Sequence, residues 1–277
     1  MPKITEPILA GAIGLTPEDA VKYFESKGFA ITWDWKAQVR LNNAQAFTVA
    51  KAMKMDVLMD IRGMIDKAIK EGLPFETFKK ELKPMLQARG WWGKKEVTGP
   101  DGRKVVQLGS PHRLRTIYET NTQSSYNAGR WRGQEANKKF RPYLKYVTVG
   151  DAAVRVEHAA LNDTIKPVDS PFWNTYYPPN GYNCRCSIES LTVEEKNKEG
   201  GITKGIPRFK DPETKTMKIA KPDQGFRQNA GKKTLAFKPK KEDYDSDIWK
   251  IAQPVTVAAA LSPLLKGIKK QEPDEEN

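Results

Sequence analysis

The sequence predicts an α+β protein in three parts: a helical N-terminal region (1–93), a central mixed α/β core domain (94–195) and an extended basic C-terminal arm and tail (196–277). Three observations carry this. Apolar residues in the first third recur at helical spacing. The middle third reads as a hairpin, one long amphipathic helix and two short strands. The last third is rich in Lys, Gly and Pro with few apolar anchors, a composition that suits an extended segment ordered against partners.

Thr16-Pro17 signals a helix start, with a hydroxyl N-cap followed by proline at the first helical position. Ala20, Val21 and Phe24 supply its apolar face and Gly28 its stop. Trp33 and Trp35 follow as core anchors. From Lys36 the pattern is helical again, with Met55, Leu58, Met59, Arg62, Ile65 and Ile69 at helical spacing up to Gly72. A shorter helix covers 75–87, where Pro84 should kink or end it. Trp91 and Trp92 lead into a hairpin over 94–108, turning at Gly-Pro-Asp-Gly. A long helix follows, with Leu114, Ile117, Tyr118, Asn121, Ser125 and Ala128 on one face and Arg113, Arg115, Arg130 and Arg132 on the outer one. Residues 143–149 and 184–191 read as strands, and 248–268 as a short apolar helix broken by Pro254 and Pro263.

Charge narrows the class of partner. The chain has 277 residues and a net charge of +13. Residues 83–145 carry 14 Lys/Arg against 4 Asp/Glu, and residues 196–241 the same numbers. Two basic blocks point to a polyanionic neighbour such as nucleic acid, or to an acidic protein surface. Arg113, Arg115, Arg130 and Arg132 on the helix, and Lys232, Lys233, Lys238, Lys240 and Lys241 in the arm, are the candidate contacts. A basic segment of this kind tracks a phosphate backbone without reading bases. No apolar run approaches the roughly 18 residues of a membrane span. The first 20 residues lack a signal-peptide pattern. Two cysteines two positions apart do not make a disulfide framework, so a reducing interior is the expected setting.

Val154–Cys186 concentrates chemically capable residues. Within it stand both cysteines and one of the two histidines. Cys184, Cys186 and His158 supply three good ligands for a structural Zn²⁺, which prefers four in a tetrahedron. The fourth is open among Asp151, Glu157, Asp163, Asp169 and water. The bland alternative is a buried histidine bonded to a turn and two cysteines packed as small apolar side chains. A catalytic drawing, Cys-His-Asp through Asp151, lacks a recognisable nucleophile elbow or oxyanion loop. Pro178-Pro179-Asn180-Gly181 reads as a tight turn, with Gly181 free to take positive φ. Arg185, between the cysteines, should point the opposite way and pair with Asp151 or Glu157.

Several motifs occur in one order: LTPEDAVKYFESKG, AFTVAK, GWWG, SPHRLRTIYETNTQSSYNAGRW, DAAVRVEHAALND, SPFWNTYYPPNGYNCRCSIESLT and PDQGFRQNAG. In these the chain resembles the minor head proteins of the phage Mu protein F type, in the wider phage head-morphogenesis superfamily. Two positions depart from the family pattern: Ala230 stands where proline is usual, and Asn162-Asp163 where a glycine turn is frequent. The resemblance implies a non-enzymatic, morphogenetic role at or near the portal vertex. The implied partners are the portal protein, the major capsid protein and packaged double-stranded DNA, with no membrane. The implied location is the virion head, and the host cytoplasm during assembly. A metal-dependent hydrolase or toxin-like enzyme built on His158, Cys184 and Cys186, and a non-specific DNA-binding protein, are the competing readings.

Overall fold

The computed structural model describes residues 17–29, 46–52, 54–99 and 102–232, and these form an α+β fold. Trp33, Trp35 and the 248–268 segment lie outside the described residues. The first elements are α1 (Pro17–Glu25), β1 (Gly28–Phe29) and β2 (Ala46–Phe47), followed by α2 (Met55–Glu71) and α3 (Phe75–Ala88). Gly28 does not close α1; it lies in β1, paired in parallel with Ala46. α2 buries Met55, Val57, Leu58, Ile61, Met64, Ile65, Ala68 and Ile69, an apolar face of helical period. Met59, expected on that face, is 47% exposed. The helix ends at Gly72, whose φ of 67° lets its N–H bond the Ala68 carbonyl.

Pro84 does not end α3, which continues to Ala88. Its ring lies on the exposed side, where water can satisfy the carbonyl it leaves free, while Leu82 and Leu86 hold the helix down. The hairpin pairs β3 (Lys94–Gly99) with β4 (Gly102–Gln107), in register from Lys94↔Gln107 to Gly99↔Gly102.

α4 (Pro111–Ala136) is the spine of the molecule. Ser110 caps it by accepting from the Arg113 backbone N–H, and Pro111 opens it. Its first half joins the N-terminal core through Leu114 and Tyr118, with Trp91 and Leu108 from the hairpin's flanks. Its second half enters another core through Trp131. The helix expected within the central domain therefore belongs to both cores. α1 lies along it so closely that a Cβ on Gly129 would come within 3.3 Å of the Ala20 backbone nitrogen.

The second core rests on an antiparallel sheet of order β6–β5–β7: β5 (Tyr143–Val147), β6 (Ile165–Pro167) and β7 (Ser187–Leu191). Two short helices, α5 (Val156–Ala159) and α6 (Trp173–Tyr176), fill its connections. β7 begins at Ser187, so both cysteines precede the strand rather than lie in it. Trp131, Leu144, Tyr146, Trp173, Tyr177 and both cysteines pack together here.

α7 (Val193–Lys198) starts with a capping box, Thr192 and Glu195 exchanging hydrogen bonds. Beyond it, β8 (Arg208–Lys210) pairs with β9 (Met217–Ile219). The arm beginning at residue 196 is expected to hold few apolar anchors, yet within it Phe209 and Ala220 pack on the sheet core, and Phe226 and Ala230 are buried. This part of the basic arm is therefore docked. Lys233, Lys238, Lys240, Lys241 and the rest of the tail lie outside the described residues. No described helix is long and apolar enough to cross a membrane.

Candidate functional site

The two connections of the three-stranded sheet converge on one point. β5 leads through an Asp151 loop into α5, which carries His158. The β6–β7 connection brings Cys184 and Cys186 to it. His158 Nδ1 lies 3.8 Å from Cys184 Sγ and 3.8 Å from Cys186 Sγ. All three side chains are buried, at 2%, 3% and 9% exposure. Among the described residues they form a group whose ligand atoms lie within 4.8 Å of one another.

The two thiols form an unequal pair. Cys186 donates a hydrogen bond to Cys184 and holds that thiol well below the usual range; His158 helps and burial opposes. Cys186 is pushed up by the same hydrogen bond and by burial. Tyr146, also hydrogen-bonded to Cys186, has its phenol pushed up by burial first and the sulfurs second. Asn180, fully buried, donates through Nδ2 to the Tyr146 hydroxyl at 2.9 Å and to the Tyr176 carbonyl at 3.1 Å. Sequence reasoning missed Tyr146 and Asn180, although PPNGYNCRC places Asn180 four residues before Cys184.

Arg185 points outward from between the buried cysteines and makes two bonds to Asp151, at 2.6 and 2.7 Å. Asp151 is thereby held below the usual carboxylate range, first by this guanidinium. The Cys-His-Asp arrangement is not assembled: Asp151 is committed to Arg185, and the second ring nitrogen of His158, Nε2, is buried without a partner among the described residues. Asp163 pairs with Lys145 and Asp169 with Lys138. None of the four carboxylates considered as a fourth ligand, Glu157 included, joins the cluster.

The Pro-Pro-Asn-Gly turn contains a cis Pro178-Pro179 bond. Gly181 does not take positive φ; Asn183 does, at 57°. The space beside Gly181 is instead filled by the ends of two side chains. A Cβ there would meet Asp223 Oδ2 at 2.3 Å and Arg155 Nη1 at 3.2 Å. Two motifs far apart in sequence therefore meet. Asp223 donates its backbone N–H to the Asn180 carbonyl at 2.8 Å. Phe226 packs edge-on against Tyr182, ring centroids 4.9 Å apart. Asn229 donates its backbone N–H to the Asn174 carbonyl at 2.9 Å. Asp163, at the position where a glycine turn is frequent, takes a left-handed φ of 59°, a conformation Asp tolerates better than most residues.

The arginines of α4 are not a single outer face. Arg113 donates to the carbonyls of Gln107, Leu108 and Ala50 and stacks on Trp91; burial lowers its pKa to about 10. Arg130 is 6% exposed, its Nε without a partner. Arg132 pairs with Asp19. Arg115 is exposed, paired with Glu119 and Glu76 over the Phe75 ring. Lys232 bonds Asn174 Oδ1 at 2.7 Å and lies over Trp131. The exposed basic side chains Lys94, Lys95 and Arg103 stand on the hairpin instead. A cleft of about 860 Å³ opens between α4 and β7–α7, away from the cysteines. Its charges are of both signs, with Arg141 bonded to Glu195.

Residues 59–189 match the family model described as Phage Mu protein F like protein. The chain is similar to the "Putative capsid assembly protein F" of Escherichia phage Mu, 45% identical over 193 residues that make up 69% of this chain and 44% of the relative. It is also similar to the "Mu-like prophage FluMu F protein" of Haemophilus influenzae, 46% identical over 163 residues, 58% of this chain and 38% of the relative. The match thus spans less than half the length of either relative. No solved structure matches the chain.

Proposed function

We propose, from the premise that residues 59–189 of this chain are Mu protein F-like, that it is a minor head protein of a tailed phage, acting in capsid assembly. The observation that carries this reading is the 45% identity over 193 residues to a protein named for capsid assembly. The matched residues run from inside α2 to inside β7. They include α4, which ties the two cores together, and the His158, Cys184 and Cys186 cluster.

The finer reading is a position at or near the portal vertex, touching the portal protein, the major capsid protein and packaged DNA. The basic composition supports it. Of the described charged candidates, the hairpin lysines and Arg115 are better placed for a partner than Arg113 and Arg130, which the fold uses internally. In this reading the role is structural rather than catalytic, supported by the name of the relative, a capsid assembly protein.

Cross-linking mass spectrometry on DNA-free and DNA-filled heads tests the reading. Cross-links from Lys94, Lys95 or the lysines of residues 232–241 to the portal protein are expected. Absence of the chain from both particles would overturn the assembly role. Its presence with cross-links only to distant capsid shell proteins would remove the portal position.

A further inference from the structure

We infer that His158 Nδ1, Cys184 Sγ and Cys186 Sγ bind a divalent zinc-class ion that fastens the two connections of the three-stranded sheet to each other. The inference stands on the side-chain cluster and does not depend on the head-assembly reading.

The geometry fits the ion. Zinc holds sulfur at about 2.3 Å and imidazole nitrogen at about 2.0–2.1 Å, so a regular tetrahedron separates the two ligands by about 3.6 Å. Both sulfurs lie 3.8 Å from Nδ1, so two edges of the tetrahedron already have nearly the required length. Only small shifts of side chains would complete them. The equality of the two distances matters: a plain hydrogen bond from one thiol would favour one sulfur over the other.

The donor set selects the metal class. Two thiolates and an imidazole suit zinc and disfavour magnesium or calcium, which take oxygen ligands. Two thiolates also balance the charge of a divalent ion, as a site this deeply buried requires. No Asp or Glu joins the cluster among the described residues, and a water molecule completes the four-coordinate set.

The location gives the ion something to do. His158 comes from the β5–β6 connection and the cysteines from the β6–β7 connection, and β5 is the central strand. The second connection contains Phe172, Trp173, Tyr176 and Tyr177 and only one short helix. Ordering such a loop costs conformational entropy. A metal at its base binds only the folded arrangement, so its binding free energy offsets that cost.

The test uses the full chain, purified under reducing conditions without chelator. Elemental analysis is expected to find about one zinc ion per chain. After removal of the metal, titration with Co²⁺ alone is expected to give a thiolate-to-cobalt charge-transfer band and the visible bands of a tetrahedral centre. Alkylation of the two cysteines should be slow in the purified protein and fast after chelation. Cys186→Ser should lose the charge-transfer intensity of one sulfur, and Cys184→Ser with Cys186→Ser should lose the site. Three results would each overturn the inference: zinc at background with only the aqua-ion cobalt spectrum; zinc retained in full by the double variant; or a Cys184–Cys186 disulfide in protein handled without reductant, with no metal. If the variants fail to fold, the metal content, cobalt spectrum and alkylation rate of the unmodified chain decide the question alone.

Discussion

Lys27 shows how a single side chain sets a pH dependence. It is 3% exposed, and its ammonium lies over the rings of Tyr23 and Phe24 at 4.9 and 5.7 Å. Burial, and then repulsion from Arg62, lowers its pKa from 10.5 to about 7. The native state thus binds fewer protons than the unfolded chain between about pH 7 and 10.5, and stability rises with pH across that window. Below it both states are charged and the full penalty is present. Lys27→Met should therefore stabilise the protein by about 1–3 kcal/mol near pH 6, and the gain should shrink as pH approaches 10. Melting temperatures of both proteins from pH 6 to 10 check this; parallel curves would show that Lys27 is charged throughout. The histidine and cysteines were legible as a cluster because they are rare in the chain and fall in one short segment. Arg113 and Arg130 were not legible as interior residues. Helical periodicity gives the direction each takes from α4, but not that the hairpin's flank covers Arg113 and that Arg130 is enclosed further along.

At the scale of elements, the docking of residues 222–231 on the Pro-Pro-Asn-Gly turn is the least local feature of the fold. Gly181→Ala should cost about 1 kcal/mol, the low end of overpacking, since its methyl would displace the Asp223 carboxylate. That neighbour is the free end of a side chain, so Asp223→Ala in the same chain should recover most of the loss, as a double-mutant cycle by chemical denaturation would reveal. Equal losses with and without Asp223 would place the strain in the backbone instead. Phe226→Ala removes a buried ring that packs on Tyr182 and should cost about 3 kcal/mol. It should also free residues 199–232 for proteolysis, whereas the unmodified segment resists it. Cleavage of the unmodified protein at the same rate would mean that the segment is undocked. Sequence periodicity had nothing to offer here. The segment holds isolated anchors, Phe209, Ala220, Phe226 and Ala230, at no regular spacing, and its composition alone reads as an unanchored arm. The resemblance marked residues 222–231 as a motif without indicating what they touch. β6 escaped for a related reason: three residues ending in proline carry no alternation to detect, and pairing with β5 alone defines them.

At the scale of the whole molecule, a net charge of +13 raises the question of which cations remain available once the fold has taken its share. Arg113 and Arg130 serve the interior, and Arg132 and Lys138 are held in ion pairs. The hairpin is different. Lys94, Lys95 and Arg103 are exposed on its two strands; Arg103 pairs with Thr98 and so shares a face with Lys94, while Lys95 points to the other face. Electrostatic binding to phosphates weakens linearly in log affinity against log salt, with a slope of roughly −0.9 per phosphate neutralised. Replacing all three with Ser should therefore flatten the salt dependence of binding to random-sequence duplex DNA by about 2 units of slope, from the two cations that share a face. The folded structure should be unchanged, because none of the three side chains is buried. Arg113→Ser should do the opposite. It removes donors from three backbone carbonyls and the cation over Trp91, so it should lower the melting temperature and leave the slope alone. Fluorescence anisotropy over a series of salt concentrations, with thermal melts of the same samples, separates the two effects. An unchanged slope in the triple variant would mean that the hairpin cations do not meet the phosphates.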